Sequence, residues 1–115
     1  MKFVNQEHEN FFLNNSQKGH GKDYKALVYT LGIDDLCRQH FSELYNANTE
    51  TIIPKALTAG WQTGASKRIT RLAFHLFTWE IPEGEDATDF TVKALFESLD
   101  DLHREGALLA IEYFA

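Results

Sequence analysis

One cysteine, Cys37, and two prolines are all that the 115 residues hold of either type. A lone thiol cannot close an internal disulfide, and it excludes every zinc site built on several cysteines. No apolar run approaches the roughly 20 residues that a helix needs to cross a bilayer. The opening Met1-Lys2-Phe3-Val4-Asn5-Gln6-Glu7 turns polar at once and lacks the apolar stretch of a signal peptide, so a cytoplasmic location is expected. Positive charge is scarce as well: 11 basic side chains face 17 acidic ones, a formal charge of −6 that disfavours a nucleic-acid partner. There is no internal repeat and no low-complexity tract. What the chain does have is apolar matter. With 43% hydrophobic and 13% aromatic residues it is too apolar for a disordered segment. The length suits one domain over residues 1–115, able to bury about two-thirds of its unfolded surface.

Almost every periodic segment repeats with the helical period. Phe3, Phe11, Phe12 and Leu13 suggest a helix near Asn5 to Asn14, followed by a flexible loop over 14–21. Tyr24, Leu27, Val28 and Leu31 fall at i, i+3, i+4 and i+7, with Gly32 placed for a left-handed stop. Asp34 or Asp35 then caps a second helix carrying Cys37, Phe41, Leu44 and Tyr45, which makes an αα-hairpin. The polar stretch from Asn46 to Thr51 is expected as a loop, and Pro54 opens a short helical turn that Gly60 closes. Thr63 or Ser66 caps the central helix, whose stripe is Ile69, Leu72, Ala73, Leu76 and Phe77. Pro82 and Gly84 end it. Asp86, Thr88 or Asp89 caps a last long helix through Val92, Leu95, Phe96, Leu99 and Leu102, which Gly106 breaks. Residues 107–114 read equally as a final helical turn or a buried strand. The fold expected is all-α, a compact single-domain bundle of five or six short helices.

Two surfaces stand out. The first is acidic. From Glu80 onward ten carboxylates face only Lys93 and Arg104, a segment charge of −8 that leaves +2 on the rest. Glu97, Asp100, Asp101 and Glu105 are expected within two turns of one helix, a face suited to a basic protein partner or to competing for a nucleic-acid-binding groove. The competing reading is a solvated face that keeps the chain soluble. The second is the start of the central helix over 63–71. Gly64 admits close approach, Ser66 offers a hydroxyl, and Lys67, Arg68 and Arg71 supply cations beside unpaired helix amides, with His75 one turn beyond Arg71, a set suited to phosphate or carboxylate. The spacing is not that of a P-loop. Here the competing reading is a capped helix whose cations are satisfied by acidic neighbours.

The five histidines show no metal-binding spacing, so no metal and no cofactor is expected. Cys37 and His40 stand one helical turn apart, as a nucleophile and base would, yet Cys37 also sits in an apolar stripe where a free thiol packs as a small hydrophobe. No catalytic residue is assigned. Trp61 and Trp79, at the two ends of the central helix, suit core closure or a partner hot spot, with core closure favoured. Phe11, Phe90 and Phe114 could close a homo-oligomer or serve the core.

The run from Pro54 to Phe77, with Gly60-Trp61-Gln62-Thr63 and Ser66-Lys67-Arg68 at its heart, resembles the central signature of a family of small uncharacterised proteins of Gram-positive bacteria and their phages or conjugative elements. Met1-Lys2-Phe3 and Glu7-His8 are similar to its N-terminus. The resemblance implies a mobile-element or accessory setting and assigns no activity. The expectation is therefore an accessory protein that binds a protein partner through Glu97, Asp100, Asp101 and Glu105, as an inhibitor of a host defence or nucleic-acid-processing factor. The alternative is an anion-binding, enzyme-like domain.

Overall fold

Side-chain caps decide where most helices begin. The computed structural model describes residues 1–17 and 19–115, so Lys18 of the expected 14–21 loop lies outside the described residues. Asn5 has an extended backbone and accepts from the His8 amide, starting α1 (Gln6–Asn15). After α2 (Lys22–Leu31), Asp34 accepts from the Cys37 amide and starts α3 (Asp35–Gln39). Thr63 and Ser66 form a reciprocal capping box at the start of α5 (Gly64–Thr78).

Two expected helices are each cut in two. The helix after Asp34 stops at His40, whose φ of −111° and ψ of 25° are not helical, and resumes as α4 (Phe41–Leu44). Tyr45 leaves it for a short antiparallel ladder, β1 (Tyr45–Asn46) on β2 (Thr51–Ile52), where a plain loop was expected. The ladder closes because Asn46 Oδ1 accepts from the Asn48 and Thr49 amides, turning the chain back. Further on, a 3₁₀ turn over Pro54–Thr58 leads to α5, and a second over Ala87–Phe90 leads to α6 (Val92–Phe96). The expected long helix ends there. Glu97 is extended, Ser98 is left-handed at φ 60°, and Asp100 caps a new helix, α7 (Asp101–Phe114), from the His103 amide. The Asp100 carboxylate competes for backbone donors and so begins a helix where it was expected to continue one. Leu95 and Leu99, one on each side of the break's start, are both buried.

Residues 107–114, left open between helix and strand, are helical, and Gly106 does not break α7 but lies inside it. Gly32 does not take a left-handed conformation either: its φ is −65° and ψ −15°. Its use is space, because a Cβ there would stand 3.0 Å from the rings of both His8 and Phe11. The left-handed stop belongs instead to Trp79, at φ 60° after α5.

α2 is the centre of the molecule. Residues Ala26 to Leu31 are all buried, and α1, α5 and α7 pack around it, α5 most extensively. One apolar core joins these helices to Leu57, Leu95 and Leu99. The radius of gyration is 12.7 Å, as compact as such a chain packs. Among the described residues no helix is long and apolar enough to cross a membrane.

Candidate functional site

The break at residues 97–100 redistributes the acidic set. Glu97 ends α6, Asp100 caps α7, and only Asp101 and Glu105 share the outer face of α7, so the four do not form one helical face. Asp100 is also committed: its carboxylate accepts from the His103 amide at 2.8 Å and meets His103 Nδ1 at 2.7 Å. Glu97, Asp101 and Glu105 are exposed and make no ion pair among the described residues. The helicity of the last segment adds neighbours that composition could not place. Asp101, Glu105, Leu108 and Glu112 stand at i, i+4, i+7 and i+11, all exposed, as one row along α7.

At the start of α5 the residues do come together, around partners of their own. Ser66 is fully buried; its hydroxyl donates to Gln62 Oε1 at 2.6 Å and accepts from the Thr63 amide at 2.7 Å. A Cβ on Gly64 would meet Arg68 Nη1 at 3.0 Å, so the guanidinium lies over that glycine, while Arg68 Nε donates to the Ala94 carbonyl. Arg71 stands between Glu85 and Asp89 at 3.7 and 3.6 Å, and its buried Nε finds no hydrogen-bond acceptor. His75 Nδ1 lies 3.1 Å from the Glu80 carbonyl oxygen. Lys67 is half-buried. Each of Arg68, Arg71 and His75 therefore has a contact within the chain.

His103 has a partner that sequence separation hid. Its Nε2 lies 2.7 Å from Asp34 Oδ1, so the ring bridges the carboxylates that cap α3 and α7. The hydrogen bond that His103 donates to Asp34 raises the His103 pKa above its ordinary value, against the opposing effect of burial. Burial alone would raise Asp34, but hydrogen bonds from His103 and the Cys37 amide hold its carboxyl below the usual range. This clamp ties the two helix starts together across the fold. A raised folded pKa contributes stability that is complete below the unfolded value near 6.5 and is lost as pH rises through the folded value. His103→Gln should cost about 2 kcal/mol near pH 6, and should flatten the decline of stability above pH 6.5. Urea melts of both proteins from pH 6 to 9 would check it, and parallel curves would refute it.

Cys37 and His40 do not pair. Cys37 is fully buried, its thiol 3.4 Å from the Thr70 hydroxyl, and burial pushes its pKa well above the ordinary value. A thiol so held is a packing group, not a nucleophile. His40 stacks on Trp61 with ring centroids 4.2 Å apart and contacts Glu43, which also accepts from the Trp61 indole at 3.3 Å. Trp61 is half-buried, whereas Trp79 departs from the favoured core role, with 53% exposure and its indole donating to Asp23. Phe90 and Phe114 are buried in the chain's own core, and Phe11 packs edge-on against Phe41. Among the described residues no three histidine, cysteine or carboxylate side chains group as metal ligands do.

The family described as "Family of unknown function (DUF6075)" matches residues 1–110. No curated protein and no solved structure matches the chain.

Proposed function

Because the chain belongs to that family of unknown function, its own surface has to carry the functional reading, and we propose that it is an accessory protein that binds a basic protein partner along the outer face of α7. The support is the exposed row Asp101, Glu105, Leu108 and Glu112, with Leu108 at 56% exposure between carboxylates that have no cation of their own among the described residues. Three acids spaced over three helical turns attract cations, and the leucine supplies an apolar anchor at the middle of the row. A basic amphipathic segment has the complementary chemistry. Glu97 extends the acidic field at the α6 end, while Asp100 works for the fold. In the mobile-element or phage setting that the sequence resemblance implies, such a partner is a host defence or nucleic-acid-processing factor, which this row inhibits by occupying its basic groove. The reading is preferred to an anion site at the start of α5, where Arg68, Arg71 and His75 are already engaged.

The test is capture from host lysate with the native chain and with a variant carrying lysine at 97, 101, 105 and 112. The variant should stay folded, losing at most about 1 kcal/mol because Asp101 stands in the first turn of α7, and should bind at least about tenfold more weakly. The captured partner should be basic and should dissociate as salt rises. Equal binding by native and variant chains would overturn the assignment of α7.

A further inference from the structure

Residues of the β1–β2 hairpin and of the start of α2 border a cleft of about 390 Å³. The rings of Tyr24, Tyr45 and Phe77 line it together with His20, Glu50 and three small residues. Tyr24 lies 5.3 Å from Tyr45 at 58°, and Tyr45 lies 5.8 Å from Phe77 at 83°. His20 extends the series, 4.3 Å from Tyr24. One face of Tyr45 is taken by Phe41, 6.0 Å away and nearly parallel, yet three aromatic rings still border a single volume, and a ring face turned to a cation attracts it. The one carboxylate lining the cleft is Glu50, and no lysine or arginine is among the described residues that line it. Burial keeps both phenols neutral, with the Tyr45 pKa raised further by the Glu50 charge.

Glu50 is in a costly place. It ends the hairpin turn at φ 57°, in the left-handed region that glycine or asparagine occupies with less strain. Its side chain makes no ion pair among the described residues and caps no helix. Nothing in the fold calls for a glutamate at this position.

We propose that the cleft binds an alkylated ammonium group, with Tyr24, Tyr45 and Phe77 facing the cation and Glu50 compensating its charge. The size agrees with a small-ligand site, and the mixture of aromatic wall and single carboxylate selects organic cations over neutral or anionic ligands. The head group could come from a free small molecule or from a methylated lysine side chain, and the chemistry of recognition is the same.

The test is an NMR titration of the intact chain with tetramethylammonium, choline, trimethyl-lysine amide and 3,3-dimethylbutanol, the uncharged isostere of choline. The cations should bind saturably, moving the ring protons of Tyr24, Tyr45 and Phe77 and shifting their own methyl protons upfield. The isostere should bind at least about fivefold more weakly. Whether choline or trimethyl-lysine amide binds the tighter identifies the source. Glu50→Gln should weaken the cations about fivefold while leaving the isostere unchanged. Glu50→Gly separates structure from binding: its melting temperature should hold or rise because the strain is relieved, while the cation affinity falls. No saturable shift at tens of millimolar cation, equal binding of choline and its isostere, or full affinity in Glu50→Gln would each overturn the proposal.

Discussion

Lowering the pH from 7 to 4 is expected to cost the fold up to about 3 kcal/mol through His8 alone, and His8→Gln is expected to abolish the part of that loss between pH 6.5 and 5. His8 is fully buried in α1, between Phe3 at 5.1 Å and Tyr29 at 4.4 Å. One ring nitrogen is 2.7 Å from the Tyr29 carbonyl and donates to it, and the other accepts from the Val4 amide at 3.1 Å. A second ring proton would therefore have to enter opposite another N–H. Desolvation lowers the pKa from 6.5 to about 4, reinforced by the Arg38 charge and opposed by the bond to Tyr29. Between those values the unfolded chain binds the proton and the folded chain does not, so stability falls as pH falls. His103 adds little slope in this interval, because below 6.5 it is protonated in the unfolded chain and, with its raised pKa, in the folded chain too, and its losses come above pH 6.5. The two histidines thus place the stability maximum near pH 6.5. In melting temperature the loss at pH 4 is about 10 °C or more for a chain of this size. Glutamine can accept from Val4 and donate to Tyr29 without titrating, so it lowers the level of the curve but removes the slope. A slope unchanged from native would refute the role given to His8.

The same residues show what was legible in the sequence. Stripes, caps and helix ends are local, and Asn5, Asp34 and Thr63 start helices as side-chain chemistry dictates. Pairings across the chain are not local. Nothing near His103 points to Asp34, and nothing near Lys2 points to Tyr29 and Tyr113, whose hydroxyls hold its carbonyl and amide at 2.5 and 2.8 Å. Glycine misleads for the same reason. A run of letters presents Gly106 as a helix breaker and Gly32 as a left-handed stop; α2 does end at Gly32, but both glycines give room to a neighbour that only tertiary packing supplies. The acidic excess could be counted, but its layout turned on the break at Ser98, where the capping carboxylate of Asp100 outweighs a continuous apolar period. Tyr24, Tyr45 and Phe77 fit apolar stripes, and the cleft they share appears only once the hairpin is in place.

The close approach at Gly106 sets up the other large effect. A Cβ there would stand 2.7 Å from Ile33 Cγ1 and 2.8 Å from its Cγ2 and Cδ1, distances that no packed Cβ tolerates. Gly106→Ala gains about 1 kcal/mol of helix propensity, but the clash should more than reverse this, for a net loss of about 2 to 3 kcal/mol. Ile33 cannot yield cheaply. It is 1% exposed, and its amide and that of Asp34 are bonded back to Thr30 and Leu31. If α7 moves away instead, His103 leaves Asp34, since both contacts join the same helix to the same turn. Ile33→Ala alone should cost about 3 kcal/mol as a cavity. With the clashing atoms gone, the alanine at 106 becomes a filler, so the double variant should be more stable than the sum of the single losses by at least about 1.5 kcal/mol. Urea melts of the four proteins measure this coupling directly. Simple additivity would mean that Ile33 is not what requires a glycine. A favourable coupling, accompanied in Gly106→Ala by a flattened decline above pH 6.5, would establish that one glycine keeps both the core contact and the His103 clamp in register.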